Sequence, residues 1–195
     1  MLSKRQVYSI LAVIILLGLF LRVYHLDQES LWIDEVFSLH YSQQDNFNNM
    51  VYHMKKTEAA PMGHYVLLRY WTEFFGISEY PIRFPSVIFG TLSILVIFFL
   101  TRLLFNYKAA ILASLFLGTS MLQVLYSQEA RLYAMFTFFS LLSAYSFVRL
   151  LYHEKGKKGN HQNHSFFDYL FYILATLLAL YVNYLTIFLI AGYTI

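Results

Sequence analysis

Long apolar runs alternate with polar stretches along the chain, and the runs exceed the length of an ordinary buried helix. The first covers residues 7–24, broken only by Ser9 and Arg22 among strongly polar side chains. At about 1.5 Å per residue it crosses the roughly 30 Å hydrocarbon layer of a bilayer. Similar runs predict spans over 86–105, 109–125, 132–152 and 166–185. The second opens after Pro81 and Pro85, and only Asn106, Tyr107 and Lys108 separate it from the third, so these two form a tight antiparallel pair. The last run continues to Ile195. Either Asn183 and Tyr184 mark a turn there or one helix is long and tilted, and the chain is expected to be truncated at its carboxyl end within a larger membrane domain.

The stretch 25–85 is far longer than a passive connection. Within it, Phe47, Met50, Val51 and Met54 recur at helical spacing, which predicts a short amphipathic helix on the membrane surface. A second starts at Pro61, a favoured first helical residue, runs through Trp71 and stops near Gly76. The predicted fold class is therefore an all-α, polytopic transmembrane helix bundle, with a large extracytoplasmic first loop that contains short amphipathic interfacial helices.

Composition agrees. The chain is 58% hydrophobic and 13% charged, against about 45–50% and about 25% for soluble domains. Its pI near 9.0 comes from positive charges dispersed between apolar runs, which argues against a nucleic-acid partner. Without cysteine, thiolate nucleophiles, disulfides and cysteine-ligated zinc are excluded. Lys4 and Arg5 precede the first run as in a secretory signal, yet no small-residue cleavage site follows, so the span is retained.

Positive charge in the short loops places the amino terminus in the cytoplasm and the first large loop on the extracytoplasmic side of a cell membrane. On that assignment Asp27, Glu29, Asp34, Glu35, Asp45, Glu58, Glu73, Glu79 and Glu129 all fall outside, leaving Glu154 and Asp168 within. Acids contribute little to orientation, so an outer-face reaction site is the better account of the asymmetry. Topology then brings two segments together, Leu31-Trp-Ile-Asp-Glu35 and Tyr126-Ser-Gln-Glu-Ala-Arg-Leu-Tyr133. Arg131 falls near the membrane surface, where its guanidinium fork suits a lipid phosphate.

In this order, the Trp-x-Asp-Glu motif after the first span, the Pro-led aromatic helix, Arg83-Phe-Pro-Ser86 and Ser127-Gln-Glu-Ala-Arg-x-Tyr133 resemble the GT-C membrane glycosyltransferases. The similarity is strongest to the protein O-mannosyltransferase and aminoarabinose transferase branch. That resemblance implies sugar transfer from a polyprenyl-phosphate donor to a protein, lipid or glycan acceptor on the extracytoplasmic face. It implies Asp34 as general base, with Glu35 beside it orienting the loop or contacting a metal. Arg131, Gln128, Glu129 and Arg83 are then expected at the donor phosphate. Glu58 and His64 fall near a family position that carries an acid or histidine, which makes them candidates for an acceptor or a divalent metal, although Ala60-Pro61 stands where several relatives have a double proline.

Simpler readings exist for each. Asp34 and Glu35 also suit the first turn of a surface helix, a preference of about 0.3–1 kcal/mol. Arg131 and Arg83 suit interfacial anchors. His153, His161 and His164 fit a solvated loop, and the aromatic stripe from Tyr65 to Phe75 fits packing. For the whole chain the alternatives are a non-catalytic membrane module or split-gene remnant that pairs with another chain, and a small transporter.

Overall fold

A computed structural model describes residues 3–58, 60–155 and 166–193, with side chains described to Tyr152 in the middle segment. His161 and His164, with most of the hydrophilic loop expected around them, lie outside the described residues, as does the His153 side chain. Every regular element among the described residues is helical: α1 (Lys4–Val23), α2 (Ile33–Ser42), α3 (Phe47–Thr57), α4 (Gly63–Phe75), α5 (Glu79–Leu104), α6 (Tyr107–Thr119), α7 (Met121–Ser127), α8 (Tyr133–Lys155), α9 (Phe166–Val182) and α10 (Thr186–Gly192).

By length and composition α1, α5 and α8 can each cross a membrane, with a fourth span if the bent pair α6–α7 counts as one. α5 is the central post: α1, α6 and α8 pack on it, and α9 packs on the far side of α8. Glycine and serine let the backbones approach, as expected where lipid tails compete with side chains for apolar contact. A Cβ on Gly90 would collide with Ser127 Oγ and lie 2.9 Å from Arg22 Nε. At one end of the bundle α2, α3 and α4 fold together over Tyr41, Met50, Met54 and Tyr65. α4 joins this layer to the bundle through Leu68, which packs with Ile82 and Ala130.

Two expectations need correction, and one alternative is decided. The second span does not wait for its prolines: α5 starts at Glu79 and runs through both. Pro81 lies in the first turn, where no N–H partner is lost. Pro85 leaves the Pro81 carbonyl without its usual helical donor, and the Trp71 indole Nε1–H fills that place at 2.9 Å. The third span, expected as one helix over 109–125, breaks at Ser120 with a bend of 57°. The carbonyls of Leu117 and Gly118 freed there accept from Arg22 at 3.3 and 2.9 Å. Of the two readings of the fifth run, the turn is the one found: α9 and α10 are separate helices with Asn183 and Tyr184 between them, and Asn183 Oδ1 accepts from Leu185 N at 2.9 Å and its carbonyl from Thr186.

Candidate functional site

The segment Gln128–Leu132 between α7 and α8 is not helical, so its peptide groups need partners from elsewhere. Side chains from three helices supply them, and the segment's own Gln128 side chain ties it to a fourth. The Gln128 carboxamide donates to the carbonyls of Leu21 and Tyr24 at the end of α1, at 3.1 and 2.9 Å. Glu35 Oε1, from α2, accepts the Ala130 N–H at 2.7 Å. His64 Nε2, from α4, donates to the Ala130 carbonyl at 3.1 Å. Ser86 Oγ, from α5, donates to the Arg131 carbonyl at 3.3 Å. The Ala130 peptide is thus fixed on both faces, and the start of the Arg131 side chain is fixed with it.

Glu35 is fully buried and does more than hold this peptide. Arg83 grips it bidentately, Nε to Oε1 at 2.8 Å and Nη2 to Oε2 at 2.7 Å. The remaining Arg83 donors reach the carbonyls of Leu26, Glu29 and Ser30 in the strap from α1 to α2. Arg83 therefore keeps no N–H for a phosphate, and the expected phosphate role is replaced by that of a clamp. Glu35, expected beside the base, faces inward as the other half of that clamp. It also closes the first turn of α2 by accepting from Trp32 N at 3.3 Å.

Asp34 points the other way and is about one-third exposed, its Oδ2 3.8 Å from Arg131 Nη2. Glu58 Oε2 approaches Arg131 Nη1 at 3.9 Å from the end of α3. Arg131 also donates long bonds of 3.4 Å to the Asp34 carbonyl and Ser38 Oγ, and its guanidinium lies 5.9 Å from the Tyr133 ring centre. Its Nε is buried with no acceptor. Burial opposes the charge, yet the Tyr65 and Tyr133 phenols and the Asp34 carboxylate outweigh it and raise the pKa. Burial and the nearby Glu58 carboxylate likewise raise the Tyr65 phenol. The result is a permanent cation set between two acids, with one donor unanswered.

Glu129 lines a polar cavity of about 390 Å³ together with Glu35 and Arg83, bordered also by Tyr24, His25 and Trp32. One of its carboxylate oxygens is buried without a partner. Burial first, and then the Glu35 charge, raise its pKa. His64 is held neutral: burial pulls its pKa down to about 4, against the bond to Ala130. With Nε2 donating to a carbonyl, His64 is poorly placed to ligate a metal through that atom, and among the described residues no three His, Asp or Glu side chains converge as a ligand set. These side chains therefore do not fit the divalent-metal role expected for Glu58 and His64.

The model of the dolichyl-phosphate-mannose-protein mannosyltransferase family matches residues 58–195. The chain belongs to this family. It is thus a multi-pass membrane protein with the character of a GT-C glycosyltransferase. No curated protein and no solved structure matches it. The mannosyltransferase-family match includes Glu58, His64, Arg83, Gln128, Glu129 and Arg131, and it begins after Asp34 and Glu35. The acidic pair is tied to the matched region by the bonds from Arg83 and Ala130 to Glu35. One residue escaped the reading from sequence: Arg22, fully buried where α1, α6 and α7 meet, bonded to Ser127 Oγ at 3.1 Å and to the carbonyl of Gly118 at 2.9 Å. Its signal is a lone arginine inside the last turn of an apolar span.

Proposed function

We propose that the chain transfers a sugar from a polyprenyl-phosphate donor to an acceptor hydroxyl on the extracytoplasmic face, with Asp34 as general base and Arg131 as holder of the phosphate. What supports the reading above all is the Arg131 guanidinium, loosely flanked by carboxylates at 3.8 and 3.9 Å and carrying a buried Nε with no acceptor. A phosphate oxygen supplies that acceptor and replaces the long contacts with short, charge-assisted bonds. Asp34, partly exposed and beside the cation, is the carboxylate that an incoming hydroxyl can reach.

In the proposed step the acceptor oxygen attacks the anomeric carbon as its proton passes to an Asp34 carboxylate oxygen. The bond from that carbon to the phosphate oxygen breaks, and polyprenyl phosphate departs with the electron pair. Arg131 stabilises the charge gathering on the leaving phosphate, as a fixed cation aimed at developing charge does. Glu35, Arg83, His64, Gln128 and Ser86 touch neither reactant; they set the position of Asp34 and Arg131.

Replacing Asp34 with Asn tests this. Transfer of labelled sugar from a polyprenyl-phosphate donor in proteoliposomes is expected to fall by about 10²–10⁴, the usual worth of a general base. Stability should hardly change, because a partly exposed ion pair contributes about 0–1 kcal/mol. Undiminished transfer by Asp34→Asn would remove the carboxylate from the mechanism.

A further inference from the structure

Arginine partners differ between the two ends of the bundle. At the end that carries the candidate site, Arg69, Arg83 and Arg131 each meet a carboxylate. At the opposite end Arg149 meets Asp168 at 3.1 Å. Arg102, in the last turn of α5, is exposed and meets no carboxylate among the described residues. A lone cation at the end of a span ordinarily stretches towards water. This one is held across its neighbours instead. Its Nη1 donates to the Tyr8 hydroxyl on α1 at 3.1 Å, and its guanidinium lies 4.8 Å from the ring centre of Tyr107 on α6. Its Nε and Nη2 have no acceptor among the described residues.

Beside the guanidinium a cavity of about 270 Å³ opens between α5 and α8, lined by Phe99, Arg102, Leu103 and Tyr145. The rings of Phe99 and Tyr145 are 6.5 Å apart between centres. Arg102 lies about one helical turn nearer the end of α5 than Phe99, so charge stands at the outer end of the cavity and apolar walls lie towards the hydrocarbon. The Tyr8 hydroxyl accepts from Arg102 and keeps its own proton to donate.

Charge complementarity names the occupant. Lys4 and Arg5 open α1, Lys108 opens α6 and Arg102 closes α5, and neither opening turn carries an acid. Among the described side chains the acid at this end is Asp168, already taken by Arg149. A free anion would meet the cation and leave the apolar walls bare, whereas a lipid uses both. We propose that this cleft binds an anionic glycerophospholipid. Its phosphodiester accepts from Arg102 and Tyr8 in charge-assisted bonds, and an acyl chain lies against Phe99, Leu103 and Tyr145. Seated there, the lipid joins α5 to α1 and α8 at the end remote from Asp34 and Arg131. Arg102 lies roughly 28 Å along α5 from Arg83. The inference rests on the membrane setting of the chain and not on the transfer reaction, so its failure would leave the roles of Asp34 and Arg131 standing.

Native mass spectrometry of the full chain, released from nanodiscs of mixed phosphatidylglycerol and phosphatidylcholine, counts the lipids that stay bound. The parent should retain phosphatidylglycerol over phosphatidylcholine by about five-fold, the effect of roughly one cation at a membrane surface. Arg102→Gln should lose most of that preference, and Arg149→Gln, whose arginine already has a carboxylate, should keep it. Equal retention of the two lipids by the parent, or an undiminished preference in Arg102→Gln, overturns the proposal. Inorganic phosphate forms the second arm: if it displaces phosphatidylglycerol from the parent, the cleft takes a free anion and the lipid assignment fails. A measurement on the unaltered chain keeps the test decisive should Arg102→Gln not fold. Phosphatidylglycerol with a diazirine in its acyl chain should label Phe99, Leu103 and Tyr145 more strongly than the matching phosphatidylcholine, and equal labelling overturns the proposal.

Discussion

Replacing Glu35 with Leu should damage the fold more than any other single change at the site. The carboxylate is fully buried and accepts from Arg83 Nε, Arg83 Nη2, Ala130 N and Trp32 N, at 2.8, 2.7, 2.7 and 3.3 Å. Leucine leaves the buried guanidinium without its counter-ion, and breaking such a pair from one side costs about 3–5 kcal/mol. It also orphans the Ala130 N–H, a loss of about 1–3 kcal/mol that is not simply additive. The double change Glu35→Leu with Arg83→Met removes both charges, and an apolar replacement of a whole pair is often close to neutral. The carbonyls of Leu26, Glu29 and Ser30 then lose a donor, but they adjoin the polar cavity, which at about 390 Å³ has room for water. The Trp32 N–H also loses Glu35 but belongs to a residue that borders the same cavity, so the Ala130 N–H is the donor left dry, and the double variant should lie about 1–3 kcal/mol below the parent and above the single variant. Reversible unfolding in mixed micelles against rising SDS measures all three proteins. A single variant within about 1 kcal/mol of the parent, or a double variant no better than the single, would refute the assignment of Glu35 and Arg83 as a desolvated clamp.

Arg131→Met is expected to lower sugar transfer by about 10²–10³, the usual loss when one donor to a developing anion is removed, and Arg131→Lys should recover little because a point charge cannot fork; steady-state transfer assays decide this. Gly90→Ala should cost about 1–3 kcal/mol in the same micelle titration, since the added methyl collides with Ser127 Oγ against the central post. His64 gives a pH signature. Its pKa is about 4 in the folded chain against 6.5 ordinarily, so the unfolded chain binds the extra proton between those values. The contribution is fully present above about pH 7 and is lost as pH falls from 6.5 towards 4, at up to about 1.4 kcal/mol per unit. The difference in stability between the parent and His64→Gln should carry that slope, and a flat difference would mean that His64 is not buried neutral.

What could be read from sequence was whatever depends on local pattern. Helix α4 ends at Gly76, whose φ of 88° few other residues adopt, so the stop was visible in one letter. The meeting of the Trp32–Glu35 and Tyr126–Tyr133 segments followed from counting spans. What stayed hidden depends on partners distant in sequence. Nothing near Pro85 says that the Trp71 indole will answer the carbonyl its ring leaves open, and so the start of α5 was placed too late. Nothing near Ser120 says that Arg22, nearly a hundred residues earlier, will take the carbonyls released by a break. Arg83 and Arg131 look alike as arginines at helix ends. They differ only in that one finds a buried carboxylate at 2.7 Å and the other finds two at 3.8 and 3.9 Å.

The account turns on Asp34 and Arg131 sharing one cleft on one side of the membrane, and cysteine chemistry in this cysteine-free chain tests it most directly. In sealed vesicles of known orientation, Asp34→Cys and Arg131→Cys should each react with an impermeant maleimide added to the extracytoplasmic side, and the doubly substituted chain should be bridged by a short bifunctional thiol reagent. Reaction of the two positions from opposite sides, or a pair that no short reagent joins, would contradict it.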